Sequence, residues 1–304
     1  MPQRDKADKV RAQGGVRVTD AQPNIHRRRL GLALKGLRTA AGLTLKEAAE
    51  QLALSGESAL SRIEHGRQRV QPTAVLGYFE VYGLRDQERR NYLMYLAKQA
   101  ASGKQSNLFE EYRTAIRDPF ADYLQLEELA SRSETFASIV PGLLQTEAYA
   151  RAVVQGSRKW QTGREIDNFI RLRMARQAVL TRETPMHLWC VLDESAVRRQ
   201  VGGPEVMREQ LRYLLDVCEA QPSITLQILP FDRGSHAAMD GGFHLLHFPA
   251  GPPVVVVEPM TTTLFLEEDS DIGRYETCFN HLRSEALDGE ASLGFIHDAI
   301  KEQD

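Results

Sequence analysis

Apolar residues recur at helical spacing through the first hundred positions. Leu30, Leu34 and Leu37 fall on one face of a helix that runs to Ala41 and stops at Gly42. Thr44 stands three residues before Glu47, a capping-box signature, and Ala48, Ala49 and Leu52 then follow with helical period. Leu54, Ser55 and Gly56 break that pattern. Ser55 is placed to cap a third helix, whose narrow apolar face is Leu60 and Ile63 and which Gly66 ends. Pro72 opens a fourth helix carrying Val75, Leu76, Phe79 and Val81, stopped by Gly83. Asp86 starts a fifth through Gln99, with Tyr92, Leu93, Tyr95 and Leu96 apolar.

The texture changes after a polar stretch, Ala100–Asn107, which reads as a linker. Leu108–Arg117 is read as helical and as a candidate for pairing two chains. Tyr123–Leu126 fits either the first strand of a second domain or part of one longer helix. Pro141 opens a helix to about Val154, and residues 163–182 form another. Met186–Leu192 is a near-continuous apolar run, as expected of a strand covered on both faces. A helix over Pro204–Ala220 follows, then strands over Ser223–Leu229, Gly242–Phe248, Val254–Val257 and Thr263–Leu266, then two closing helices. The pattern predicts an all-α five-helix domain followed by an α/β domain with a mixed sheet.

Charge sharpens this division. The 304-residue chain has a net charge of -3, but residues 1–100 hold 18 Lys/Arg against 10 Asp/Glu, and the remainder holds 20 against 31. The basic part suits a polyanion and the acidic part does not. Residues 1–25 are polar and read as a disordered arm ending at Arg27-Arg28-Arg29, either a solvated charge run or a reach toward a polyanion. Cys190, Cys218 and Cys278 are isolated thiols, which argues against a disulfide framework or a zinc site and fits a reducing cytoplasm. No apolar run is long enough for a transmembrane helix, and no signal-peptide core is expected.

The run GLTLKEAAEQLALSGESALSRIEHGR resembles the helix-turn-helix of XRE/Cro-type transcription regulators, a lambda-repressor-like fold. The matching positions are Gly42-Leu43-Thr44, Glu47, Ala49, Leu52, Ser55 and the run Ser61-Arg62-Ile63-Glu64-x-Gly66. Leu45 stands where the family often has Gln, and Ala53 where its turn commonly has Gly. The alternative is an ordinary helical hairpin. VPGLLQTEAYARAVV, LDESAVRRQVGGPEVMREQLRYLL and ITLQILPFDRGSHAAMDGGFHLLHF resemble the C-terminal domain of an actinobacterial group of such regulators that includes WhiJ-like proteins. Some members are antitoxin-like and associate with a small acidic partner protein.

Composition and the resemblance together divide the chain into a disordered arm over 1–25, a DNA-binding domain over 26–100, a linker and helix over 101–120, and a regulatory, dimerisation or partner-binding domain over 121–304. It places Glu57, Ser58, Ala59 and Arg62 toward base edges, and Thr44, Lys46, Ser61, Arg67 and Arg69 toward phosphates of double-stranded DNA. Arg38 and Glu64 would pair to fix the recognition helix, with a small net effect if exposed. A homodimer on a palindrome is expected, in the cytoplasm at the nucleoid, with an unknown small-molecule ligand or a small partner protein on the second domain and no membrane, cofactor or metal.

An enzyme is the competing class. His236, Asp240, His244 and His247 form the best metal-like set, but a strand after Gly241-Gly242 sends His244 and His247 to opposite faces. Asp193, Glu194 and Ser195 are adjacent, and neighbours on a helix do not face one another. Gly202-Gly203-Pro204 lacks the following GK[ST] of a phosphate loop. No catalytic residue is expected.

Overall fold

The computed structural model describes residues 25–102, 118–157, 162–258 and 263–302. The expected arm, most of the linker and the Leu108–Arg117 helix lie outside these residues. The first domain is five helices: α1 (Ile25–Ala40), α2 (Leu45–Gln51), α3 (Glu57–Glu64), α4 (Pro72–Val81) and α5 (Gln87–Ser102). Leu30 and Leu34 of α1, Leu60 and Ile63 of α3, Val75 and Phe79 of α4, and Leu93 and Leu96 of α5 are buried together. Thr44 closes the expected capping box with Glu47. Ser55 does not cap α3; Gly56 occupies that position at φ 124°, with no side-chain bond, because the chain enters the helix through a conformation open to glycine.

The close approach of α1 and α3 depends on Gly31, where a Cβ would stand 2.5 Å from the Ile63 carbonyl oxygen. Arg38 continues this contact. Its Nε and Nη2 donate to the two Glu64 carboxylate oxygens at 2.7 and 3.0 Å, and Nη1 donates to the Leu43 carbonyl at 2.7 Å. Glu64 is 2% exposed and Arg38 is half-buried, so the carboxylate is enclosed while the guanidinium reaches toward the surface.

The second domain opens with a helix, α6 (Asp118–Leu129), which resolves the strand-or-helix alternative at Tyr123–Leu126. Its first strand is β1 (Arg132–Ala137), in a stretch whose sequence suggested none. Pro141 opens only a 3-10 turn, Gly142–Leu144; the chain then extends at Gln145, and Thr146 caps α7 (Glu147–Gly156). There follow α8 (Gly163–Arg176), β2 (His187–Asp193), α9 (Ser195–Arg198), α10 (Pro204–Ala220), β3 (Ile224–Leu229), β4 (Phe243–His247), β5 (Val254–Val257), β6 (Leu264–Leu266), α11 (Asp269–Glu285) and α12 (Gly289–Lys301). The sheet order is β3-β2-β1-β4-β5-β6. β1, β2 and β3 are parallel; β4 pairs antiparallel with β1, β5 antiparallel with β4, and β6 antiparallel with β5.

The run over β2 is covered on both faces, as expected. Leu188, Cys190 and Leu192 face α10 and α12, whose Met207, Leu211, Leu214 and Ile296 are fully buried. Val191 faces α11, with Ile272, Phe279 and Leu282. β1 is central yet polar, and its side chains are satisfied in place. Thr135 Oγ1 lies 2.9 Å from His244 Nδ1, and Glu134 Oε2 lies 3.2 Å from His247 Nε2.

The two domains share one apolar cluster. At their junction Arg29 of α1 is 0% exposed. Its Nη2 donates to the Pro252 carbonyl at 2.6 Å, and its guanidinium carbon sits 3.7 Å above the centre of the Phe248 ring. Burial lowers its pKa to about 10, so it remains a cation at neutral pH. Arg28 beside it pairs with Glu267. Gly251, at φ 86°, lets the β4–β5 loop close on α1; a Cβ there would stand 3.3 Å from that of Ala33.

Replacing Arg38 by Ala leaves the Glu64 carboxylate buried and uncompensated. The expected loss is about 3 kcal/mol in the stability of the helical domain, measured as a lower urea midpoint for the full chain. A loss below about 0.5 kcal/mol would place the pair among weak surface contacts.

Candidate nucleic-acid interface

The four helix ends around the motif are built alike. α1, α2, α3 and α4 each finish in a left-handed residue: Gly42, Ala53, Gly66 and Gly83. Around Ala53, the Leu54 N–H donates to the Ala49 carbonyl at 2.9 Å and the Ala53 N–H to the Glu50 carbonyl at 3.1 Å. Around Gly66, the Arg67 N–H donates to the Arg62 carbonyl at 2.8 Å and the Gly66 N–H to the Ile63 carbonyl at 2.9 Å. This is the pairing of a Schellman ending. Ala53, at φ 51°, is the single non-glycine with positive φ among the described residues. The turn between α2 and α3 therefore carries a side chain at a left-handed position.

The outward face of α3 carries Glu57, Ser58 and Arg62, all exposed. Ala59, expected beside them, is 4% exposed and turned into the domain. It lies one turn before Ile63 and shares that residue's inward face, not the outward face of Glu57, Ser58 and Arg62. Ser61 is half-buried. His65, just past the helix, is exposed, with Nδ1 2.7 Å from the Ser61 carbonyl oxygen.

Lys46, Arg67 and Arg69 are exposed around this face. Thr44 is also exposed, but its hydroxyl donates to Glu47 Oε2 at 2.7 Å and accepts from the Glu47 N–H at 3.2 Å. The Thr44 N–H, which donates to Glu47 Oε2 at 2.9 Å, and then the Thr44 hydroxyl hold the Glu47 carboxyl below its usual pKa, which keeps a negative charge beside Thr44. Thr44 is thus committed to capping before any phosphate arrives. Arg62 donates from Nε to Gln68 Oε1 at 3.1 Å, a partner six residues along that no motif position marks.

Among its described residues the second domain offers no comparable constellation. His244 and His247 bond to Thr135 and Glu134 on opposite faces of β1, as their spacing predicts. Among the described residues no group of three or more His, Cys, Asp or Glu is arranged to hold a metal. Asp193 accepts from the Ser195 N–H at 2.9 Å and Glu194 from the Phe231 N–H at 2.8 Å, so both brace loops. The three cysteines are free. Burial pushes their thiols up, that of Cys218 to about 11, which leaves none as a thiolate nucleophile at neutral pH. No described helix is long and apolar enough to cross a membrane.

Over residues 29–93 the chain matches a helix-turn-helix domain, and over residues 120–298 a domain of unknown function, DUF5753. No curated protein and no solved structure matches it.

Replacing Ala53 by Gly removes the cost of a side chain at positive φ. The expected result is a gain of about 0.5–1 kcal/mol, measured as a higher melting temperature of the helical domain. A loss of stability would show that the left-handed conformation is not what limits this turn.

Proposed function

We propose, for a chain that belongs to the DUF5753 family and carries a helix-turn-helix domain, a function as a sequence-specific transcription regulator. It acts as a cytoplasmic homodimer on a palindromic operator. The observation that carries this reading is the outward face of α3, where Glu57, Ser58 and Arg62 stand exposed above a buried Leu60 and Ile63. A recognition helix enters the major groove with such a face and reads base edges from its first turns. Arg62 offers a planar fork for guanine O6 and N7, and Glu57 an acceptor for cytosine N4. Lys46, Arg67 and Arg69 hold phosphates, which set orientation without reading sequence. One such unit makes few contacts, so two half-sites about 34 Å apart complete the operator.

The acidic second domain does not face the polyanion; it receives the signal, from a small ligand or a small acidic partner protein. Its contacts to α1 through Arg28 and Arg29 support that role, because α1 also carries α3. We assign the chain no catalytic step.

Gel-shift titration on the DNA upstream of the chain's own coding region, with salt varied, tests the reading. Affinity should fall steeply with salt and favour a palindrome. Arg62→Ala should relax selection at one base pair by about 1–3 kcal/mol, whereas Lys46→Ala should weaken all sequences alike and lower the salt slope by about 1. Binding that ignores both salt and sequence would overturn it.

A further inference from the structure

Gln68 lies outside α3 and outside the helix-turn-helix pattern, yet its side chain returns to the recognition helix. The chain reverses at Gly66, at φ 67°, where a Cβ would stand 2.8 Å from Arg28 Cα; α1 therefore fixes the path of the turn. Beyond it the N–H groups of Arg67 and Gln68 both donate to the Arg62 carbonyl, at 2.8 and 3.1 Å. This anchored backbone brings Gln68 Oε1 to 3.1 Å from Arg62 Nε, which donates to it. Gln68 is half-buried, at the edge of a groove it shares with Ile63, Val70 and Tyr78, while Arg62 is exposed. A partly enclosed amide holds the root of a solvent-facing guanidinium.

We propose that Gln68 is a positioning residue for base readout: by accepting from Arg62 Nε it directs the Nη1 and Nη2 fork end-on toward a guanine. The proposal deepens the reading given above and rests on Arg62 as the base-reading side chain. A guanidinium can pair with guanine through Nη1 and Nη2, or side-on through Nε and one Nη. With Nε engaged, the end-on mode remains. Arginine also carries large rotamer entropy, and a side chain already held in place loses less of it on binding.

The choice of an amide matters. Glu64 takes two donors of Arg38 and holds that fork in a bidentate pair. A carboxylate at 68 would offer Arg62 the same bidentate partner and draw it away from the base. The neutral carbonyl of Gln68 accepts one N–H and leaves the charge and the remaining donors available.

The test uses the full-length chain and a duplex selected from randomised DNA by the wild-type protein. Affinity is measured for that duplex and for one in which the guanine read by Arg62 is changed to adenine. Gln68→Met keeps the length of the side chain and removes the acceptor. It should reduce the guanine-to-adenine affinity ratio by about 3–10-fold, with the melting temperature and the salt slope unchanged. Gln68→Glu should reduce the ratio as well, and weaken binding to both duplexes. The proposal is overturned if Gln68→Met leaves the ratio at its wild-type value while Arg62→Ala abolishes it, and the regulator reading then stands. It is overturned too if Gln68→Met weakens both duplexes equally or lowers the melting temperature, since either result assigns Gln68 a structural role. If Arg62→Ala itself leaves the ratio intact, the reading of Arg62 falls, and this proposal with it.

Discussion

Helix α1 is gripped from two sides, and on both sides the grip is a buried or nearly buried arginine. Toward α3, Arg38 meets the Glu64 carboxylate with two parallel hydrogen bonds. The geometry suits a planar guanidinium and would not suit the point charge of lysine. Toward the second domain, Arg29 is enclosed against the face of Phe248 and the Pro252 carbonyl. Removing charges from water is costly, so each site holds only while its partners stay in register. Gly31 and Gly251 allow the two approaches, because a Cβ at Gly31 would meet backbone and one at Gly251 would press on Ala33 and Arg29.

The second domain repeats this reliance on enclosed polar groups. Glu127 of α6 accepts from Arg176 Nε and Nη2 of α8 at 2.8 Å each, and from the Tyr123 hydroxyl at 2.8 Å. Burial and the Glu127 charge push the Tyr123 hydroxyl up, so it serves as a donor at all physiological pH. α6 also packs against α1, and its Tyr123 ring lies against His244 of β4, so it neighbours both the sheet and the helical head. The mixed sheet behind it is apolar along β2 and β5, whereas β1 at its centre is polar and bonded across to β4.

What the sequence revealed follows the physics of each signal. Helix boundaries in the first domain were legible because caps and left-handed glycines are local: Thr44, Pro72 and Gly83 each act within one turn of chain. The strand β2 was legible because burial on both faces leaves a continuous apolar run. β1 was not, since Arg132-Ser133-Glu134-Thr135 shows neither alternation nor an apolar run, and its partners His244 and His247 lie more than a hundred residues away. Ser55 looked like a cap, but capping also needs the right backbone entry, and Gly56 supplied it. Ala59 is buried, and its one-turn spacing from Ile63 is the local signal that points it inward. Gln68 was illegible, because its contact with Arg62 exists only once Gly66 has folded the chain back.

The shared hold on α1 bears on how this architecture can change over evolutionary time. Two domains joined by a bare tether can be exchanged among relatives like beads on a string. Here the first helix of the DNA-binding head presents Arg28, Arg29 and Ala33 to a particular loop and edge of the other half. A foreign head lacking those side chains would leave Phe248 and the Pro252 carbonyl facing solvent, and a foreign body would strand Arg29. A head and a body that are joined in one chain must therefore agree along this helix.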